Sequence, residues 1–157
     1  MMQIPTDPTT ETRGVAAASG VMREAPDGFT LVNLYEAFTS RISPVFERYE
    51  ADGQRVGAFY VEEAYLDPHS GALHDGMVML VADLFLGRVA WTTAKSTCVT
   101  LNMRAAHIAD VPVGALVEVR ARLDGRTSSI VFVSGDFTWD GQTVMKITSG
   151  WKVLHAT

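Results

Sequence analysis

The chain has 157 residues and a single cysteine, Cys98, so no internal disulfide framework can be built. One thiol fits a reducing, cytoplasmic setting. The first twenty residues carry Pro, Asp and Thr where the apolar core of a secretory leader would lie. Basic residues are also in deficit. Lys and Arg total 13 against 18 Asp and Glu, a formal net charge of −5, which disfavours nucleic acid and anionic membrane as partners while leaving room for a local basic patch. No Gly-x-Ser-x-Gly elbow, phosphate loop or dinucleotide fingerprint occurs. His69 and His74 lie in a loop, with His107 and His155 far away in sequence. That spacing offers no shared face for a metal, so none is expected. Only one apolar run reaches helix length, and it is interrupted by Asp83 and Arg88 and reads as too short to span a bilayer.

That run, His74–Trp91 (HDGMVMLVADLFLGRVAW), is the centre of what is present. Apolar on nearly every side, it predicts a buried helix. The chain is 47% apolar and 20% charged, enough to build one domain without staples. Residues 1–25 read as a loose arm, and 26–157 as the folded domain. Phe29–Phe38 predicts a short helical piece. Val45–Glu50 and Val56–Leu66 predict a hairpin around Ala51-Asp52-Gly53. After the helix the period changes to two. Thr97–Ala106 places Val99, Leu101 and Met103 on one face. Ala115–Leu123 points Val117, Val119, Ala121 and Leu123 inward. Turns at Asp124-Gly125 and Asp140-Gly141 then lead into Ser129–Trp139 and Thr143–Leu154. The order implies an α+β fold, with about six antiparallel strands wrapped around one long helix. Exposed sheet edges imply a symmetric dimer.

Chemistry concentrates on that helix. Asp83 sits among Met79, Leu80, Leu86 and Gly87 one turn away. Burial there would raise its pKa towards that of a general base. Its alternatives are neutralisation by an arginine such as Arg104, or a place on a thin polar strip. Gly87 would let a ligand or another chain approach closely. At the helix start, Asp75 or Gly76 could offer an N–H to a developing oxyanion. The plainer alternative makes Asp75 an N-cap, with Gly71 and Gly76 as turn glycines. Gly76 and Asp83 are about 10.5 Å apart along a helix, so one small carbonyl cannot touch both. If both act on one substrate, the site combines two subunits. Cys98 lacks an evident activating base and reads as a strand residue.

The stretch GALHDGMVMLVAD resembles the hotdog-fold acyl-CoA thioesterases of the phenylacetate-pathway type, whose hallmark is Gly-x-x-His-Gly-Gly followed by a buried helix with an acidic residue. Gly71, His74 and Gly76 match, and Asp83 falls nine residues after the histidine. The resemblance runs over roughly Val45–Leu154, more weakly through CVTLNM and VPVGALVEVRARLDGR. It implies a thioester hydrolase releasing free acid and CoA. Asp83 would be base or nucleophile, and the N–H of Asp75 or Gly76 on a partner subunit the oxyanion donor. It further implies substrate contacts from Gly71, His74 and Cys98, no cofactor because CoA belongs to the substrate, and a homodimer or homotetramer. Arg104 and Arg126 are phosphate candidates by position, with solvated strand and turn arginines as the alternative. Three departures stand out. Asp75 replaces the first glycine after the histidine, Pro68 (or His69 or Ser70) replaces an asparagine, and Cys98 takes a position often Ser or Thr. They favour a second reading, an acyl-CoA or small-ligand binder without turnover. A hotdog hydratase would need a paired histidine and acid, which the sequence does not reveal.

Overall fold

The computed structural model describes residues 23–32, 42 and 44–154. Its elements are β1 (Thr30–Leu31), β2 (Val45–Tyr49), β3 (Arg55–Tyr60), α1 (Asp75–Ala94), β4 (Cys98–His107), β5 (Leu116–Arg126), β6 (Ile130–Trp139) and β7 (Gln142–Val153). The strands form one antiparallel sheet in the order β1-β2-β3-β5-β6-β7-β4. α1 and β4 therefore lie in sequence between two strands, β3 and β5, that are neighbours in space. The α+β architecture is as expected, with seven strands among the described residues. The arm up to residue 22 and residues 33–38 of the expected helical piece lie outside them. Thr30–Leu31, at the start of that piece, is extended and pairs with β2.

Two turns follow the expected chemistry. Asp52 Oδ1 accepts from the Gln54 N–H at 2.8 Å, and Asp140 and Gly141 take φ of 49° and 74°, the twist that two-residue hairpins need. Asp124-Gly125 is not a turn. The register slips between Leu123 and Gly125, β5 runs on to Arg126, and the chain reverses at 127–129, where Thr127 N–H donates to Ile130 O at 2.8 Å. The Asp124 carboxylate accepts the Ser134 hydroxyl at 2.6 Å across the sheet, so it is satisfied by a neighbouring strand and not by a local turn. Val117 and Val119 are buried as expected, whereas Leu123, beside this bulge, is exposed. β3 also stops earlier than its apolar pattern suggests. Beyond Tyr60 the chain forms a 3-10 turn at Glu63–Tyr65.

A second bulge changes β4. Its register shifts between Thr100 and Asn102, turning Thr100 towards α1 and leaving Val99 and Leu101 exposed. Met103, after the bulge, packs on the core as expected. The physical reason is the period of two: one extra residue exchanges the faces.

α1 is buried on one side only. Met77, Val78, Val81, Ala82, Phe85, Leu86, Gly87 and Ala90 pack into the sheet, each large side chain contributing about 1.5–3 kcal/mol. Asp83 and Trp91 are exposed. With 20 residues, α1 is long and apolar enough by composition to cross a membrane, contrary to the expectation from length. Its packing against strands is that of a core helix. Gly57 on β3 sits directly against Phe85, and Gly87 against Trp151 of β7. The close approach at Gly87 is thus made by this chain's own sheet.

Arg88 leaves α1 towards Glu47 of β2, 3.5 Å away, and Arg55 of β3 pairs with the same carboxylate. Burial, with the nearby Arg88 charge, pushes the Arg55 guanidinium down to about 10. On the opposite sheet face Phe29, Phe46, Val56 and Ala58 form a small second cluster. Beside it Arg23 pairs with Glu62 at 3.0 Å and lies over the Tyr60 ring.

Candidate active site

The loop before α1 is fixed by one carboxylate. Asp67 Oδ1 accepts from the N–H groups of Ser70 (2.8 Å) and His69 (2.9 Å) and from the Ser70 hydroxyl. The Ser70 N–H, then the other donors, hold the Asp67 carboxyl below its ordinary range. Gly71 has φ of 72°, which a side chain would strain. His74 N–H donates to Tyr65 O at 2.8 Å, seating the start of α1 on the 3-10 turn.

His74, not Asp75, is the N-cap. Its Nδ1 accepts the Gly76 N–H at 2.9 Å, and its carbonyl accepts from Met77 and Val78. Of the two donors expected at the helix start, Gly76 is therefore engaged. The Asp75 N–H makes no hydrogen bond among the described residues. It points out of the positive end of a 20-residue helix. The Asp75 side chain meets His107, at the far end of β4, with Oδ1 and Nε2 2.8 Å apart.

Two turns along α1, Asp83 stands on the exposed side of the helix, so the burial expected of it is absent in the single chain. Arg104 does not neutralise it. The Thr100 hydroxyl donates to Asp83 Oδ1 at 2.6 Å, fixing one oxygen and leaving Oδ2 free among the described residues. Asp83 flanks an apolar stripe formed by half-buried Leu80 and Leu84 and exposed Trp91, whose Nε1 donates to Cys98 O at 3.2 Å.

The remaining residues divide plainly. Cys98 is on the same face as Thr100 but buried, with Sγ 3.6 Å from Ser96 O, and burial pushes its thiol up. The hydroxyl at the carboxylate is thus Thr100's, two residues later. Arg126 donates to Thr93 O at 2.9 Å, at the far end of α1, about 15 Å along the axis from Asp83. Arg104 is exposed on the outer face of β4. Thr100, Trp91 and His107 were missed in sequence. A bulge hides Thr100, while His107 lies 32 positions from Asp75.

One long helix lying in a seven-strand antiparallel sheet defines the hotdog fold. Residues 70–146 match the family model of the thioesterase superfamily, and the chain has the hotdog fold. No curated protein matches it in sequence. Among solved structures it is similar to the TT0310 protein of Thermus thermophilus, at 21% identity and a TM-score of 0.66, covering 77% of this chain and 100% of that one. A variant of the phenylacetic acid degradation protein PaaI from the same organism matches at 23% identity and 0.65, covering 76% and 100%. A hypothetical thioesterase from Streptococcus pneumoniae, solved with coenzyme A, matches at 19% and 0.63, covering 70% and 85%.

Proposed function

We propose that the protein is an acyl-CoA thioesterase, cleaving the thioester to a free acid and CoA. The observation that carries this is Asp83: an exposed carboxylate, oriented by Thr100, beside the apolar stripe of Leu80, Leu84 and Trp91. Its free Oδ2 either attacks the thioester carbon or takes a proton from an attacking water. The Asp75 N–H is the donor for the oxyanion that develops. Asp75 and Asp83 are about 12 Å apart along α1, so each site takes the donor from one copy and the carboxylate from another. That makes a homodimer, or a tetramer of two dimers, part of the proposal. The match over residues 70–146, which include the helix start, Asp83 and Thr100, supports it, as do similar folds solved with CoA. Arg104, exposed on β4 and without the backbone partner that Arg126 has, is the candidate for CoA phosphates. A cytoplasmic setting belongs to the same reading, on the free thiol of Cys98.

One observation favours the second reading, a ligand binder without turnover: the Asp75 carboxylate sits on the residue that supplies the oxyanion donor. Thiol release from a panel of acyl-CoAs separates the two. Asp83→Asn is expected to lower kcat by at least about 100-fold, and Thr100→Val by about tenfold through loss of orientation. Equal rates for wild type and Asp83→Asn would refute the role of Asp83. Saturable binding without turnover would establish the binder.

A further inference from the structure

We propose that His107 is a positioning residue for the oxyanion donor, holding the Asp75 carboxylate off the reacting carbonyl and offsetting its charge. The inference rests on the thioesterase reading and extends it to a residue outside the matched motif's helix.

The conflict it resolves is local. The Asp75 N–H is the free donor of the first turn, since Gly76 N–H is taken by His74 Nδ1. An oxyanion held there would face a carboxylate on that same residue. Two like charges at one helix end repel, and the transition state, where the oxyanion is fullest, suffers most. The helix dipole offsets part of this, because a carboxylate in the first turn is favourable for the helix itself.

His107 supplies the rest. It ends β4, and its Nε2 lies 2.8 Å from Asp75 Oδ1. The contact ties the carboxylate to the end of β4, across the helix start. β4 is placed for this by its pairing with β7, which runs from Cys98↔Val153 to His107↔Met145. The same strand presents Thr100 to Asp83. One strand thus orients the carboxylate of one active site and shields the donor of the other. Both partners are solvent-accessible, so the effect is that of an exposed pair and not of a buried one.

The test is a double-substitution cycle on thiol release, with kcat and KM measured for wild type, His107→Ala, Asp75→Gly and the doubly substituted protein. His107→Ala in the wild-type background is expected to lower kcat about fivefold, with KM changed less than about twofold, as removal of an exposed pair felt in the transition state. In the Asp75→Gly background the same substitution is expected to change kcat less than about twofold, because no carboxylate remains to hold. His107→Gln keeps a donor at the end of the side chain and is expected to recover part of the loss. An equal fall in both backgrounds would assign His107 to support of β4 alone and overturn the inference. So would no fall in the wild-type background. Those results, obtained with a wild type whose turnover depends on Asp83, end this inference only. A wild type whose turnover is absent or independent of Asp83 ends the thioesterase reading and this inference together.

Discussion

Replacing Gly57 by alanine tests how α1 is seated, independently of any activity. An ideal Cβ at Gly57 falls 2.3 Å from Phe85 Cε1, 2.4 Å from Cζ and 2.5 Å from Cδ1. Ordinary contact begins at 3.4 Å, so the ring must withdraw by 1.1 Å. It has no room to do so, being 4% exposed and packed in the main core. Three ring atoms are involved, and the other side of the clash is strand backbone, so neither party yields cheaply. Overpacking of this kind costs about 1–3 kcal/mol. The geometry puts Gly57→Ala at the top of that range, about 3 kcal/mol. For a domain of this size the expected fall in Tm is about 6–12 °C. Urea unfolding should show a lower midpoint at unchanged slope. Phe85→Leu frees the space. The two substitutions together should therefore be less damaging than their separate effects predict, by about 2 kcal/mol. Additive effects, or a Tm within about 1 °C of wild type for Gly57→Ala, would refute this account of helix seating.

Glu47→Gln should destabilise the protein by about 2 kcal/mol, less than a fully buried pair would, because it leaves the partly exposed Arg55 and Arg88 facing each other; urea unfolding of the variant measures it. Asp67 gives a pH signature. Its carboxyl is held below its ordinary range by the Ser70 and His69 donors, so its contribution is complete above the unfolded value, near about pH 4. It is lost as pH falls through the lower folded value. The stability difference between wild type and Asp67→Ala should accordingly shrink on acidification from about pH 5 to about pH 2.5; a constant difference would exclude the charge as its source.

How much of this was legible in sequence depended on whether a signal was local. Asp140-Gly141 was readable because a hairpin turn is specified by the residues that make it. Asp124-Gly125 carries the same letters but serves a bulge, since its carboxylate finds Ser134 on the next strand. The alternation in β4 was likewise readable after the bulge, where Met103 packs on the core, and inverted before it. That single slip hid Thr100 and exposed Val99 and Leu101. The helix was legible in place and length, but not in how it is covered. Leucines and methionines on all sides suggested burial all round, whereas the single chain leaves the side bearing Asp83, Leu80, Leu84 and Trp91 open. His74 as cap and His107 as partner to Asp75 depend on ring orientation and on a strand end brought back from far along the chain. Neither leaves a period or a motif to read.

The placement of β4 has a consequence for how the site comes into being. β4 is made before β5, β6 and β7 but pairs with β7, from Cys98↔Val153 to His107↔Met145, so 38 to 55 further residues must be synthesised before its ladder can close. The β5–β6–β7 meander forms from near neighbours and can assemble quickly, while β4 must wait for β7. Asp83 and Thr100 are only 17 residues apart, yet their hydrogen bond is among the last to become permanent during synthesis. A nascent chain halted before Gln142 would hold an intact helix and an unanchored Thr100. Removing the strand from Trp151 onward would act on the carboxylate site through the register of β4, since Trp151 is the partner of Thr100.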